Sequence, residues 1–207
     1  MKTAVKICGV TRTADALVAA RHGAHAIGLV FYGPSPRYVD PDAAAAIVRA
    51  MPPFITTVGL FVDAEEDAVR AIAAHTGVQL LQFHGAESAD FCASFSLPYM
   101  KAVQVRPGVD LLQYARVFAS AKALLLDAFH ADLRGGTGAV FDWGLIPRAL
   151  PLPIVLSGGL TPENVGDAIR RVKPTAVDVS SGVEASKGIK DEAKITAFIT
   201  GVRNADV

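Results

Sequence analysis

Short runs of apolar, often β-branched residues alternate along the chain with longer stretches in which apolar positions recur at helical spacing. The short runs predict strands over 4–8, 26–31, 57–61, 79–83, 99–105, 123–127, 154–157 and 176–180. The longer stretches predict helices over 13–22, 41–51, 64–75, 88–95, 111–119, 143–150, 162–172 and 191–203. A strand is followed by a helix eight times over. Such alternation implies parallel strands joined by right-handed crossovers. Most of the strand runs lack a polar face, as a sheet covered on both sides requires.

The expected fold is therefore α/β, a single (β/α)8 TIM barrel forming one domain over 1–207. An open doubly wound sheet is the competing architecture, but no GxGxxG follows the first strand. TIM barrels typically take about 250 residues and rarely fewer than about 200. The 207 residues here leave room only for short connections. Thr161-Pro162-Glu163 has the order of a capping hydroxyl, a first-turn proline and a first-turn acid. Asp63 and Thr11 or Thr13 are candidate caps for two other helices.

Composition adds limits. At 51% hydrophobic and 19% charged, the chain can bury a substantial core. Twenty basic residues balance twenty acidic ones, so no net charge attracts nucleic acid or an anionic membrane. An anionic ligand must be held by local groups. Two cysteines, Cys8 and Cys92, make no disulfide framework, and the five histidines have no metal-ligand spacing. These features predict a reducing compartment and no metal. The opening residues carry charges within their apolar stretch and do not resemble a secretory signal. No run approaches the ~18 apolar residues of a membrane span. The expectation is a soluble, cytoplasmic protein acting on a small molecule, with no nucleic-acid or membrane partner, as a monomer or homodimer.

In a barrel of this kind the reacting groups stand at the C-terminal ends of the strands. Polar residues just past the strands are Cys8, Arg37, His84, Asp127, Ser157-Gly158-Gly159 and Ser180-Ser181-Gly182. The seventh and eighth strands both end in Ser–Gly turns, where this fold usually cradles phosphate with backbone N–H groups. The plain alternative is two ordinary tight turns. Gly136, in the Gly135–Gly138 loop after the sixth strand, is a candidate for closing over a ligand. Asp127 ends the apolar run ALLLD, and a buried acid there is costly unless it faces a polar mouth. Cys8 ends the first strand. In a closed ring the first and sixth strands flank the seventh and eighth, which sets a candidate base and acid around a bound sugar phosphate. Inert core packing is the alternative for Cys8 and is the reading for Cys92. Arg37 is expected across the mouth from the phosphate, facing a second anion. His84 reads as a hydrogen-bonded structural histidine or as a group contacting the ligand.

These residues lie in motifs that resemble one family. KICGVT (6–11), GLVFYGPSPRYV (28–39), VGLF (58–61), LQFHG (81–85), LLLDA (124–128), GGTG with FDW (135–143), LSGGLTPENV (156–165) and DVSSGVE (178–184) resemble, in order and spacing, the phosphoribosylanthranilate isomerases. The resemblance implies a (β/α)8 barrel without a cofactor. It also implies an Amadori rearrangement of N-(5-phosphoribosyl)anthranilate in tryptophan biosynthesis. It gives Cys8 the role of general base, Asp127 that of general acid, and Arg37 the anthranilate end of the substrate. Phe83 stands where many relatives have Leu.

Two other readings compete. The related histidine-pathway isomerases use aspartates on the first and fifth strands, where this chain has Cys8 and Gln104. A non-catalytic phosphosugar-binding barrel has no use for Cys8 and Asp127 together.

Overall fold

The computed structural model describes residues 2–128 and 142–205. Eight parallel strands close into a ring in chain order: β1 (Ala4–Cys8), β2 (Ala26–Val30), β3 (Thr56–Phe61), β4 (Leu80–Phe83), β5 (Tyr99–Val105), β6 (Ala123–Ala128), β7 (Ile154–Leu156) and β8 (Ala176–Val179). The ring closes where Lys6 of β1 stands opposite Asp178 of β8. The helices are α1 (Thr13–His22), α2 (Pro41–Ala50), α3 (Glu66–Thr76), α4 (Ala89–Ala93), α5 (Leu111–Val117), α6 (Val165–Val172) and α7 (Glu192–Ala205). None of them is long and apolar enough to cross a membrane.

Alternation along each strand divides the apolar residues into two cores. Val58, Met100, Leu125 and Val155 fill the barrel interior. Ile7, Ile27, Phe61, Leu124 and Leu156 face outward against Ala16, Ile47, Val69, Ala168 and Ile199 of the helices. Phe83 belongs to this outer layer, fully buried among Phe61, Phe91, Phe95 and Tyr99. The larger ring at this position packs behind the barrel wall.

Two expectations do not hold, and one element was not expected. The helix expected over 143–150 is a single 3₁₀ turn, Trp143–Leu145. Pro147 lacks an N–H and clashes with a preceding turn, so the helix cannot propagate. The expected caps also differ. Thr161-Pro162-Glu163 forms a turn ahead of α6, with the Thr161 carbonyl accepting from Asn164 and Val165 N–H. The residue before α1 is Arg12, with no side-chain cap, and the residue before α3 is Glu65. The Asp63 carboxylate instead accepts from the Ala86 N–H in the next loop. Lastly, a small hairpin follows β8: β9 (Glu184–Ser186) pairs antiparallel with β10 (Ile189–Lys190). Strands this short carry no readable periodicity.

Candidate active site

The C-terminal ends of the strands surround a cavity of about 710 Å³. One side of its wall is apolar, with Val30, Tyr32, Leu60 and Val62 from β2, β3 and the loops after them. The other side is built from Ser157, Gly158, Gly159, Ser180 and Ser181 after β7 and β8. Gly158 and Gly159 have φ of +79° and +66°, a backbone that other residues rarely adopt. Gly182 does not line the cavity. A Cβ there would collide with the Leu160 carbonyl oxygen, so Gly182 lets the two Ser–Gly loops lie against each other.

Cys8 is buried at the end of β1. Lys6, two residues earlier on the same face, is equally buried and donates from Nζ to Asp178 Oδ1 at 2.8 Å. Ser157 Oγ donates to the other carboxylate oxygen at 3.0 Å. Space for this arrangement comes from β2: a Cβ on Gly28 would stand 2.7 Å from Cys8 Sγ and 3.0 Å from Lys6 Nζ. Burial pushes the Cys8 thiol above its ordinary range, while Lys6 and Lys190 pull it back towards the thiolate. Burial also works against the Lys6 ammonium, but Asp178 and Cys8 outweigh it and raise its pKa.

Arg37 lies elsewhere than expected. Its Nε and Nη2 donate to the two carboxylate oxygens of Glu184, each at 2.8 Å. Glu184 Oε1 also accepts from Lys190 Nζ at 3.0 Å. Arg37 thus sits beside the β8 loop, not across the mouth from it. The reason is topological: β2 is separated from β8 only by β1. Although burial opposes ionisation, Arg37 and Lys190 hold the Glu184 carboxyl below its ordinary range. Burial lowers the pKa of Lys190 despite this pairing. Around Cys8 the buried Lys6 and Lys190 and the half-buried Arg37 face Asp178 and Glu184. Among them Lys6 and Lys190 favour a Cys8 thiolate, while burial and Asp178 oppose it.

Asp127, on β6, is buried and accepts from or donates to His84 Nε2 at 3.2 Å. His84 Nδ1 lies 3.0 Å from Gln82 Nε2. His84 is therefore hydrogen-bonded within the protein and lines the cavity as well. A second cavity, of about 630 Å³, opens between β5 and α5 and shares only His84 with the mouth.

Comparison with known proteins narrows what this cavity can do. The family description N-(5'phosphoribosyl)anthranilate (PRA) isomerase matches residues 5–201. The chain belongs to this family. A relative from Dechloromonas aromatica, N-(5'-phosphoribosyl)anthranilate isomerase, is 57% identical over 206 residues, covering 100% of this chain and 99% of its own. The crystal structure of phosphoribosyl anthranilate isomerase from Thermotoga maritima superposes with a TM-score of 0.88 at 40% identity, covering 98% of this chain and 99% of that one. A phosphoribosyl anthranilate isomerase in complex with reduced 1-(o-carboxyphenylamino)-1-deoxyribulose 5-phosphate matches with a TM-score of 0.86 at 39% identity, over 98% and 99% of the two chains.

Of the residues singled out in this isomerase-family chain, Cys8, Arg37, His84, Asp127, Gly158, Gly159, Ser180 and Ser181 share the one cavity. Gly182 supports the loops from behind. Gly136 lies outside the described residues. Lys6, Gln82, Asp178, Glu184 and Lys190 escaped the sequence reading. A signal existed for two of them: Lys6 and Asp178 are opposite charges inside apolar strand runs, and such charges survive burial only as partners.

Proposed function

We propose that this chain catalyses the Amadori rearrangement of N-(5-phosphoribosyl)anthranilate to 1-(2-carboxyphenylamino)-1-deoxyribulose 5-phosphate in tryptophan biosynthesis, with Asp127 as general acid and Cys8 as general base. One observation carries the assignment of roles. A single cavity holds both groups, at the ends of β1 and β6, with the Ser–Gly loops of β7 and β8 between them in the ring.

Asp127, in its acid form, gives its proton to the furanose ring oxygen. The C1–O bond breaks with its electron pair on oxygen, and the anilino nitrogen lone pair forms the C1–N iminium. The Cys8 thiolate then takes the proton from C2. That C–H pair becomes the C1–C2 double bond, and the iminium π pair returns to nitrogen. The enolamine tautomerises to the C2 ketone with a proton added at C1. The iminium is the electron sink, so the chemistry calls for no cofactor. Lys6 and Lys190 favour the Cys8 thiolate against burial. The deciding test follows loss of substrate fluorescence with purified, folded protein; absence of turnover overturns the reading.

The substrate's phosphate fits the donors of the Ser157–Gly159 and Ser180–Ser181 turns, and its aromatic ring fits the apolar side of the mouth. Gly182→Val forces the two loops apart. A displacement of about 1 Å near a reacting centre costs on the order of 10²-fold. The variant is expected to raise KM strongly and to weaken competition by inorganic phosphate, as steady-state kinetics will record. Unchanged inhibition by phosphate removes the cradle from these loops.

Arg37 has two roles to separate. Its Nε–Nη2 edge belongs to Glu184, and Nη1 makes no hydrogen bond among the described residues. That remaining edge suits the anthranilate carboxylate. Arg37→Ala is expected to cost more catalytic efficiency on the natural substrate than on an aniline analogue lacking the carboxylate. Equal losses mean that Arg37 acts only through Glu184 and the β8 loop.

A further inference from the structure

Gln82 is a fully buried amide in the apolar strand β4, directed at the active-site cavity. Burying an amide is costly unless it is fully hydrogen-bonded. Its Nε2 meets His84 Nδ1 at 3.0 Å, but its Oε1 is buried with no partner among the described residues. Beyond it His84 Nε2 meets Asp127 Oδ2 at 3.2 Å. His84 lies just past the end of the strand, two residues beyond Gln82. The His84 N–H donates to the Phe61 carbonyl at 2.9 Å and fixes the backbone there.

We propose that Gln82 is a positioning residue for the general acid: its amide holds His84 in the tautomer that matches the protonation state of Asp127. The inference rests on the reading of Asp127 as the acid. With Gln82 Nε2 donating to Nδ1, the imidazole proton is on Nε2 and donates to a carboxylate. This is the arrangement after the acid has given up its proton. With the amide turned by half a rotation, Oε1 accepts from an Nδ1–H. His84 Nε2 is then free to accept from a protonated Asp127, or to share that proton with it. An amide's two ends have nearly the same shape, and one is a donor and the other an acceptor. A glutamine here serves both states; neither an apolar residue nor a carboxylate can. The unpartnered Oε1 is the acceptor held ready for the second state.

Other titratable groups face the pair. Cys8, Arg37, Asp178 and Lys187 line the same cavity, and Glu87, Lys101 and Arg106 line the cavity behind His84. The variants below leave all of them in place. Gln82→Met keeps the length and removes both hydrogen bonds. It is expected to lower kcat about 10-fold, within the range for a disturbed acid–base group, with little change in KM. Gln82→Glu offers a permanent acceptor and a negative charge, which favours the protonated pair. The limb of kcat/KM governed by the acid should then move up by about one pH unit or more. A merely structural glutamine lowers stability in both variants and leaves the limb where it was.

Nitrogen-15 NMR of the His84 ring gives a readout independent of turnover and, in the wild type, of any variant's folding. In the wild type, His84 should carry its proton on Nε2 at high pH and gain an Nδ1 proton as the pair is protonated. In Gln82→Glu the Nδ1 proton should persist to higher pH. An Nε2–H tautomer unchanged across the titration, or an unmoved limb in Gln82→Glu beside an inactive Asp127→Asn, overturns this inference alone. Full turnover in Asp127→Asn removes the acid assignment, and the inference with it.

Discussion

Cys8→Ala and Asp127→Asn each leave a folded protein whose kcat is at least ~10²-fold lower, the lower end for loss of a general acid or base. Both side chains end at the cavity, so neither substitution opens a hole in the packed layers. Alanine at position 8 removes the group proposed to take the C2 proton. Asparagine at position 127 keeps the shape and the contact with His84 but cannot protonate the ring oxygen. The pair of losses should be far from additive, because both serve one sequence of proton transfers. Cys92→Ser is the control. Cys92 is buried on α4, where loss of solvent pushes its thiol up to about 12, and it lies outside the cavity. Its replacement should leave kcat unchanged. Stopped-time fluorescence assays, with circular dichroism to check folding, decide the matter. Near wild-type turnover in either variant ends that residue's assignment.

Lys6→Met is expected to lose roughly 3–5 kcal/mol of stability, the usual cost of stranding one partner of a buried ion pair. Among the described residues Asp178 keeps only the Ser157 hydroxyl in the variant. The fold raises the Lys6 pKa above its ordinary value, so its contribution is complete below the unfolded lysine value of about 10.4. The contribution is lost as pH rises through the folded value. The stability difference should therefore be full at neutral pH and close only in strongly alkaline solution. Urea titrations at several pH values measure it. Lys6 also favours the Cys8 thiolate against burial, so the rising limb of kcat/KM should move to higher pH in the variant. Lys6→Met with Asp178→Asn separates the two effects. The double variant should regain stability but only part of the limb, because Asp178, which raises the Cys8 pKa, is neutralised together with the loss of Lys6. A limb that stays in place shows that Lys6 supports the strands and not the thiol.

Particular residues show where sequence reading works. Four apolar residues before Asp127 place it at a strand end, and an acid there can survive only by facing a mouth. Two Ser–Gly turns after consecutive strands mark the seventh and eighth positions of the ring. Pro147 was as visible as these, yet the apolar spacing around it suggested a helix that its missing N–H prevents. The hairpin of β9 and β10 spans too few residues to show any period.

What the sequence determines by itself is local: which segments are strands or helices, how often they alternate, and which polar side chains stand at strand ends. These follow from side-chain periodicity and backbone sterics, which act between near neighbours. Ring closure is different. It brings Lys6 to Asp178, 172 residues apart, and Arg37 to Glu184, 147 residues apart. Those pairs set the charges around Cys8, which act together with burial on its thiol. The chain of Gln82, His84 and Asp127 likewise crosses from β4 to β6. Desolvation and hydrogen bonding depend on what surrounds a group in space, and that is set only when the eighth strand meets the first.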